Sequence, residues 1–229
     1  MSPSIHLMDR PAGAAGARPA SGYGEAMTTC PEAPAQPALA DLDWPVRTER
    51  LVLRPARSED AAGIWPWHGD PDVQRWTTTL SATPEAHQQW WDERLDTTVV
   101  AELDGTIVAT GMIRRDDAWG QADVAEQARG TVAEIGWVLD PAYQGQGLGT
   151  ELAAALRDLA FDGLGVRRVV AECFAANLAS RRVMEKIGLR HEATHRQDSL
   201  HRSGEWMDGM SYAQLAGEHE GTPLPATEG

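Results

Sequence analysis

Apolar and polar positions alternate in two different ways along the chain, with the periods of strands and of helices. Residues 97–103 and 106–113 are rich in β-branched and apolar side chains, and Asp104-Gly105 between them favours a tight hairpin. Residues 132–139 predict a further strand, and residues 168–174 form a nearly continuous apolar run, which is typical of a buried parallel strand. The central part of the chain therefore predicts a sheet.

Helical spacing and helix-capping residues lie between and around these strands. Ser58 and the sequence Thr83-Pro-Glu are predicted to begin two N-terminal helices. Apolar residues recur at helical spacing from Leu148 to Leu159, and Asn177 is predicted to cap a last helix that ends at Gly188. Three more short strands are predicted at residues 51–54, 189–195 and 205–215. This mixture of strands and helices indicates an α/β domain.

The two ends of the chain differ in composition from its centre. Residues 1–43 are rich in Pro, Ala and Gly and poor in large apolar side chains, so we predict that this N-terminal extension is disordered. Met27 is a second possible start of translation. Residues 218–229 predict a disordered tail, which leaves one folded domain at residues 44–217.

Composition and charge narrow the class of protein. The net charge of -14 disfavours nucleic acid as a partner and suits an amine, although solubility alone explains it equally well. Two cysteines allow neither a disulfide framework nor a zinc cluster. The sequence shows neither a run of about 18 apolar residues nor a secretory signal, so we expect a cytoplasmic protein without a membrane partner.

The sequence Gln-Gly-Gln-Gly-Leu-Gly at residues 144–149 lies between a predicted strand and a predicted helix. Glycines allow positive φ angles and close approach of the backbone, so that consecutive N–H groups can converge on phosphate oxygens. A Walker A loop requires a lysine that is missing here. A Rossmann turn requires a glycine where Thr150 stands, although Glu172 lies near the distance of its acidic residue. A flexible turn remains an alternative.

The same run matches the Q/R-x-x-G-x-G/A motif of the GNAT N-acetyltransferase superfamily and stands in that superfamily's order of strand, loop, helix, strand and helix. Four other segments resemble its RimJ/RimL-like branch: Thr48-Glu-Arg-Leu-Val-Leu-Arg-Pro, Ala133-Glu-Ile-Gly-Trp-Val-Leu, Asn177-Leu-Ala-Ser-Arg-Arg-Val-Met-Glu-Lys-Ile-Gly-Leu and the closing Gly-Glu-Trp-Met-Asp. The resemblance covers residues 46–216. It implies a GNAT fold of the α/β (α+β) class, in which a mixed, mostly antiparallel sheet with splayed central parallel strands is flanked by helices.

By this resemblance we expect an N-acetyltransferase (EC 2.3.1) that transfers an acetyl group from acetyl-CoA to a primary amine by direct attack within a ternary complex. The acceptor is expected to be a protein N-terminus or a small-molecule amine, and the protein a monomer or a homodimer. The backbone of Val138 and Leu139 is implied to pair with the pantetheine arm, as an added strand would. The residues implied to bind the donor are Val138, Leu139, Gln144, Gly145, Gln146, Gly147, Leu148, Gly149, Thr150 and Asn177.

Glu134 is the candidate general base, because a carboxylate within an apolar strand is costly unless it has a partner, and burial would raise its pKa. Family members often have a base at this position. A purely structural carboxylate is the alternative. The resemblance implies Ser180 as a second catalytic residue near the sulfur. Where many relatives use a tyrosine as general acid this chain has Met184, so Ser180, Tyr143 and water remain candidates for that role.

Several other residues invite alternative interpretations. Cys173 is expected to be a small core residue, since no base lies near it in sequence. His191 and His195 would lie roughly 13 Å apart on a strand, which is too far to chelate one ion, and we predict no metal. Trp65, Trp67, Trp76, Trp90 and Trp91 are expected either to pack in the core or to line an amine pocket. A non-catalytic acyl-CoA sensor and a dinucleotide-dependent oxidoreductase are the other functions considered, and the acceptor and the acyl chain preference stay open.

Overall fold

The structure is a computed structural model that describes residues 36–219. Eight strands form one sheet in the order β1-β2-β3-β4-β5-β6-β8-β7. The strands are β1 (Val46–Arg47), β2 (Val52–Pro55), β3 (Thr98–Leu103), β4 (Thr106–Asp116), β5 (Val132–Leu139), β6 (Arg168–Phe174), β7 (Arg190–Leu200) and β8 (Trp206–Leu215). The pair β5–β6 is parallel and the other six neighbouring pairs are antiparallel. The predicted mixed, mostly antiparallel sheet is confirmed.

Between residues 36 and 219, six α-helices connect these strands or flank the sheet. They are α1 (Asp60–His68), α2 (Pro71–Gln74), α3 (Pro84–Asp92), α4 (Ala125–Ala128), α5 (Leu148–Asp158) and α6 (Leu178–Lys186). Thr83 caps α3 as predicted, by accepting a hydrogen bond from the backbone N–H of Ala86. The prediction that Ser58 begins the first helix was wrong, because α1 begins two residues later, at Asp60. The Asp60 carboxylate accepts a hydrogen bond from the backbone N–H of Arg57.

The hairpin between β3 and β4 turns at Asp104 and Gly105, whose φ angles are 51° and 78°. Two successive positive φ angles are typical of a type I′ turn, as the dipeptide predicts. Strand β4 continues to Asp116, three residues beyond its predicted end, because Asp116 still pairs with Val132 of β5. Pairing partners therefore extended a strand whose own sequence had already turned polar.

One face of the sheet packs against α5. Leu152 and Leu156 of this helix are fully buried and belong to the same core cluster as Ala133 and Ile135 of β5. Gly111 of β4 lies directly beneath the helix, since a Cβ atom there would come within 2.8 Å of the Leu156 methyl groups. The helix that follows the glycine run is thereby held at a defined position over the central strands.

The opposite face carries α1 and α3. Trp91 is 1% exposed and packs with Ile64 and Val100, and its indole N–H donates to the carbonyl of Arg57 at 2.8 Å. The one polar atom of the Trp91 side chain, which is the largest in this second, smaller cluster, is therefore hydrogen-bonded. The sheet therefore has helices on both faces.

The described chain is packed before the predicted domain start at residue 44. Leu39 is 6% exposed within the main core, and the indole N–H of Trp44 donates to its carbonyl at 2.9 Å. The packed core thus includes Leu39, and the domain bounds 44–217 stay a prediction. The predictions for residues 1–35 and 220–229 lie outside the described residues. Between Gln36 and His219, no helix is both long enough and apolar enough to cross a bilayer.

Candidate active site

A cleft opens in the middle of the sheet where β5 and β6 separate. The two strands pair over only three positions, and the last pair is Glu134 with Val170. Beyond it, β6 stays paired with β8 as far as Phe174, and β5 stays paired with β4 as far as Leu139. In the part of the chain that the structure describes, residues 135–139 of β5 thus have no strand neighbour on the β6 side. This edge includes Val138 and Leu139, and its backbone is available to an extended ligand.

The glycine run follows β5 after one 3-10 turn. Gly145 and Gly147 have φ angles of 76° and 84°, in the left-handed region that glycine adopts without strain. Gly147 is the N-cap of α5, and residues 144–147 are exposed. Leu148 is 1% exposed and anchors the end of the run in the core. The loop is therefore exposed to solvent but fixed at its helical end.

The backbone N–H groups of the run are free to bind an anion. Among residues 36–219, none accepts a hydrogen bond from the N–H groups of residues 145–149. The next two N–H groups, of Thr150 and Glu151, bond to the carbonyl of Gly147 as the helix begins. Consecutive free N–H groups at the start of an eleven-residue helix suit a phosphate or pyrophosphate, because the helix dipole adds to their partial charges.

A polar network that the sequence reasoning missed ties this loop to the chain before β2. The Glu151 carboxylate accepts hydrogen bonds from the Thr48 hydroxyl at 2.6 Å and from the backbone N–H of Arg50 at 2.7 Å. The guanidinium of Arg50 also contacts Glu151, and it donates to the carbonyl of Gln146 at 2.8 Å. The only signal in the sequence was that Thr48 and Arg50 stand in one of the segments that resemble the GNAT family.

Glu134 lies at the point where the cleft opens. Its side chain is 12% exposed and forms an ion pair with Arg114, its cross-strand partner in β4. Burial raises the pKa of Glu134 to about 7; Arg114 opposes this change, and the carboxylates of Glu172 and Asp116 add to it. A carboxylate with such a pKa accepts and releases protons near neutral pH.

A line of polar side chains continues from Glu134 across the sheet. Glu172 of β6 lies two residues beyond Val170 and accepts a hydrogen bond from the Ser211 hydroxyl at 3.3 Å. Ser211 in turn lies 2.8 Å from Nε2 of His195. The sequence suggests for Glu172 only the acidic residue of a dinucleotide site. In the structure, Glu172 flanks the candidate base.

Asn177 and Ser180 lie together at the start of α6, just after β6 ends. The Asn177 side chain accepts the backbone N–H of Ser180 at 3.2 Å and donates to the Ser180 hydroxyl at 3.0 Å. The hydroxyl therefore keeps its own proton available for donation. Met184 is 2% exposed in the core, and Tyr143 lies half-buried in the turn before the glycine run. Among residues 36–219, no hydrogen bond joins Ser180 to Glu134: Glu134 is bonded to Arg114, and Ser180 to Asn177.

Cys173, His191 and His195 are further residues that the sequence analysis singled out. Burial raises the pKa of Cys173 to about 11, so its thiol stays protonated and is a weak nucleophile. His191 and His195 contact different partners, Thr194 and Ser211. No group of three or more His, Cys, Asp or Glu side chains suited to a metal ion occurs between residues 36 and 219, and the absence of a metal stays a prediction.

Of the five tryptophans that the sequence analysis considered together, four lie near one another in the structure and one lies apart. The rings of Trp65 and Trp90 lie 5.3 and 5.7 Å from the ring of His87, and Trp67 and Trp91 pack nearby between α1 and α3. Trp76 lies apart, with its ring 5.9 Å from Phe174 at the end of β6 and 5.3 Å from His201. Trp76 is therefore the member of this set that reaches the cleft end of β6.

Comparison with known proteins agrees with this geometry. Residues 50–190 match the family model described as an acetyltransferase (GNAT) domain, which is more than half of the chain, and the chain therefore belongs to the GNAT acetyltransferase family. Proteins of this family use acetyl-CoA, so the predicted co-substrate is confirmed at the level of the family. A dinucleotide-dependent oxidoreductase is accordingly no longer a competing classification.

Proteins similar to this chain include the following three. An uncharacterized N-acetyltransferase of Bacillus subtilis (strain 168), YnaD, is 39% identical over 85 residues, which is 37% of this chain and about half (49%) of YnaD. The crystal structure of a GNAT-family acetyltransferase from Bacillus anthracis is 27% identical with a TM-score of 0.65, and the match covers 76% of this chain and 99% of that one. The ribosomal-protein-S5-alanine acetyltransferase of Vibrio fischeri is 18% identical with a TM-score of 0.64, and the match covers 79% and 100%. Ribosomal-protein acetyltransferases, of the kind that the RimJ/RimL-like branch contains, are thus among the structures that share this fold.

Proposed function

We propose that this protein transfers the acetyl group of acetyl-CoA to a primary amine by direct attack within a ternary complex, with Glu134 as the general base. One observation carries the proposal. A largely buried carboxylate, whose pKa burial raises to about 7, lies where β5 and β6 separate, on the strand that leads to a loop with five free backbone N–H groups. A base and an anion site that share one cleft suit acyl transfer from a phosphate-bearing donor.

The donor would be held along β5 and the glycine run. The free edge of β5 at Val138 and Leu139 fits the pantetheine arm, and the loop of residues 144–150 fits the pyrophosphate. Asn177 lies at the other wall of the cleft, at the end of β6. Bound there, acetyl-CoA supplies the acetyl thioester, which is the group to be transferred.

The chain's own residues would supply the proton transfers. Because burial raises the pKa of Glu134 to about 7, its ionised form is present at neutral pH and can accept a proton from an ammonium group, directly or through water. The amine so formed attacks the thioester carbonyl, and a C–N bond replaces the C–S bond. The nitrogen releases a proton to water, and the leaving thiolate takes up a proton. Ser180 is our candidate donor of that proton, because its hydroxyl accepts from Asn177 and keeps its own hydrogen available. Tyr143 and water are the other candidates.

The acceptor is proposed as a class, a primary amine on a protein N-terminus or a small molecule. The acidic chain, with a net charge of -14, attracts cations. N-terminal peptides belong in the test because one protein of the same fold is, by its name, a ribosomal-protein alanine acetyltransferase. We expect the reaction to take place in the cytoplasm, by a monomer or a homodimer.

The test is a free-thiol release assay with acetyl-CoA over a panel of amines and N-terminal peptides. Glu134→Gln should lower kcat by on the order of 100-fold and leave the affinity for CoA unchanged. Glu192→Gln is the matched control, since Glu192 is also paired with arginines, Arg168 and Arg190, but lies on the edge strand β7. Turnover of Glu134→Gln equal to that of the control would overturn the assignment of the base.

Thermal shift assays separate the proposed activity from its rivals. An acetyltransferase is stabilised by CoA and releases thiol with at least one amine of the panel. A non-catalytic sensor is stabilised by CoA and releases thiol with none. Stabilisation by NAD without stabilisation by CoA would reject the donor site itself.

A further inference from the structure

Arg50 lies just before β2 and reaches the glycine run from outside the cleft strands. Its Nη1 atom donates to the carbonyl of Gln146 at 2.8 Å. A Cβ atom on Gly147 would lie 3.4 Å from its Nη2 atom. The guanidinium therefore lies against the loop backbone, immediately beside the row of free N–H groups.

Glu151 holds this guanidinium in place. Its carboxylate accepts from Nε of Arg50 and from the Arg50 backbone N–H, both at 2.7 Å, and from Thr48 at 2.6 Å. Burial opposes the charged form of Glu151, whose side chain is 13% exposed, but these hydrogen bonds outweigh burial and lower its pKa. The carboxylate also balances the charge of Arg50. Arg50 is thus a fixed donor with a neutralised charge.

The contact with Gln146 sets the direction of the next N–H group. In a trans peptide the C=O and N–H bonds point in opposite directions from one rigid plane. Because the Gln146 carbonyl points toward Arg50, the N–H of Gly147 must point away from it. That N–H is one of the five that find no acceptor among the described residues. The φ angle of 84° at Gly147 then turns the chain into α5.

We propose that Arg50 is a positioning residue for the donor site, which holds the Gln146–Gly147 peptide so that the Gly147 N–H can bind a pyrophosphate oxygen of CoA. This inference rests on the proposed function, since it assigns the anion to acetyl-CoA. A direct role for the positive charge, as a contact to the 3′-phosphate of CoA, is the rival explanation. The two differ in what they require, because only the rival depends on that phosphate.

Isothermal titration of Arg50→Met with three ligands distinguishes them. The dissociation constant for CoA should rise roughly tenfold or more, as expected for a misdirected hydrogen bond to a charged group. It should rise by the same factor for dephospho-CoA, which keeps the pyrophosphate and lacks the 3′-phosphate. The affinity for pantetheine, which lacks both, should stay within about twofold of the wild type. A loss confined to CoA would overturn the inference in favour of the rival.

Two further variants separate positioning from general stability. Arg50→Met leaves Glu151 without its cation, so the double variant Arg50→Met/Glu151→Gln should recover thermal stability while the weak CoA binding persists. Recovery of both together would make the role of Arg50 merely structural and overturn the inference. Arg47→Met removes an exposed positive charge three residues away and should not change CoA binding.

The outcomes also distinguish failure of the positioning role of Arg50 from failure of the proposed function. If the wild type binds CoA and Arg50→Met binds it equally well, the positioning role is wrong and the proposed donor site stands. If the wild type binds neither CoA nor dephospho-CoA, the proposed function fails and this inference fails with it.

Discussion

Replacing Glu172 with Gln should make Glu134 more acidic and move the acidic limb of the pH–rate profile to lower pH. Burial is the largest cause of the raised pKa of Glu134, and the negative charge of Glu172 adds to it. The substitution removes the charge of Glu172. The amide oxygen of the introduced glutamine can still accept the hydrogen bond from Ser211, so the local structure is retained. The change is therefore one of charge rather than of packing.

The size of the effect follows from the position of Glu172 on the neighbouring strand. Glu134 pairs with Val170, so Glu172 is its diagonal neighbour, at roughly 8 Å or somewhat more where the strands separate. Since Glu172 is exposed, an effective dielectric constant between about 40 and about 80 is appropriate. The repulsion is then about 0.5 to 1 kcal/mol, which corresponds to roughly 0.4 to 0.8 pH units.

The assay is the pH dependence of kcat/KM at saturating acetyl-CoA and constant ionic strength. Arg114→Met provides a variant of opposite sign, because Arg114 opposes the raised pKa of Glu134 and its removal should move the acidic limb to higher pH. The displacement in Glu172→Gln should also shrink at 1 M salt, where the exposed charge is screened. Displacements of both variants in the same direction, or no displacement in either, would refute the electrostatic reasoning.

Three other predictions concern the loop, the core and the response to acid. Gly147→Ala should weaken CoA binding, measured by titration calorimetry, more than Gly145→Ala does. Both positions have positive φ angles, but only a Cβ at residue 147 would approach a neighbour, at 3.4 Å from Nη2 of Arg50. Leu156→Ala should lower the free energy of unfolding by about 2 to 5 kcal/mol in urea titrations, because this fully buried side chain would leave a cavity; a loss under about 1 kcal/mol contradicts its packing role. Burial, together with the neighbouring His87, lowers the pKa of His68 to about 4, so the stability due to neutral His68 is present above pH 6.5 and is lost as the pH falls toward 4. The urea-derived free energy should fall over that range, and more steeply than in His68→Leu.

Local patterns were sufficient for much of the fold and for the position of the glycine run between β5 and α5. Strands β5 and β6 begin and end at the residues that their apolar runs predict, and α5 begins at Leu148. Asp104-Gly105 forms the predicted hairpin turn. In each case the determining interactions lie within a few residues of each other, as side-chain period, turn geometry or helix capping. The GNAT motif belongs to the same category, because its three glycines lie within five residues, from Gly145 to Gly149.

What the sequence by itself determined, then, is the order of the elements, the family and the position of the glycine run that we propose as the donor loop. The tertiary structure alone decided which residues surround that loop and the candidate base. Arg50 and Glu151 are 101 residues apart in the chain, and Glu172 and Ser211 are 39 apart. Sheet pairing and helix packing bring such residues together, and no local period reports them. The raised pKa of Glu134 has the same origin, since its burial and its charged neighbours come from the folding of β4, β5 and β6 into one sheet.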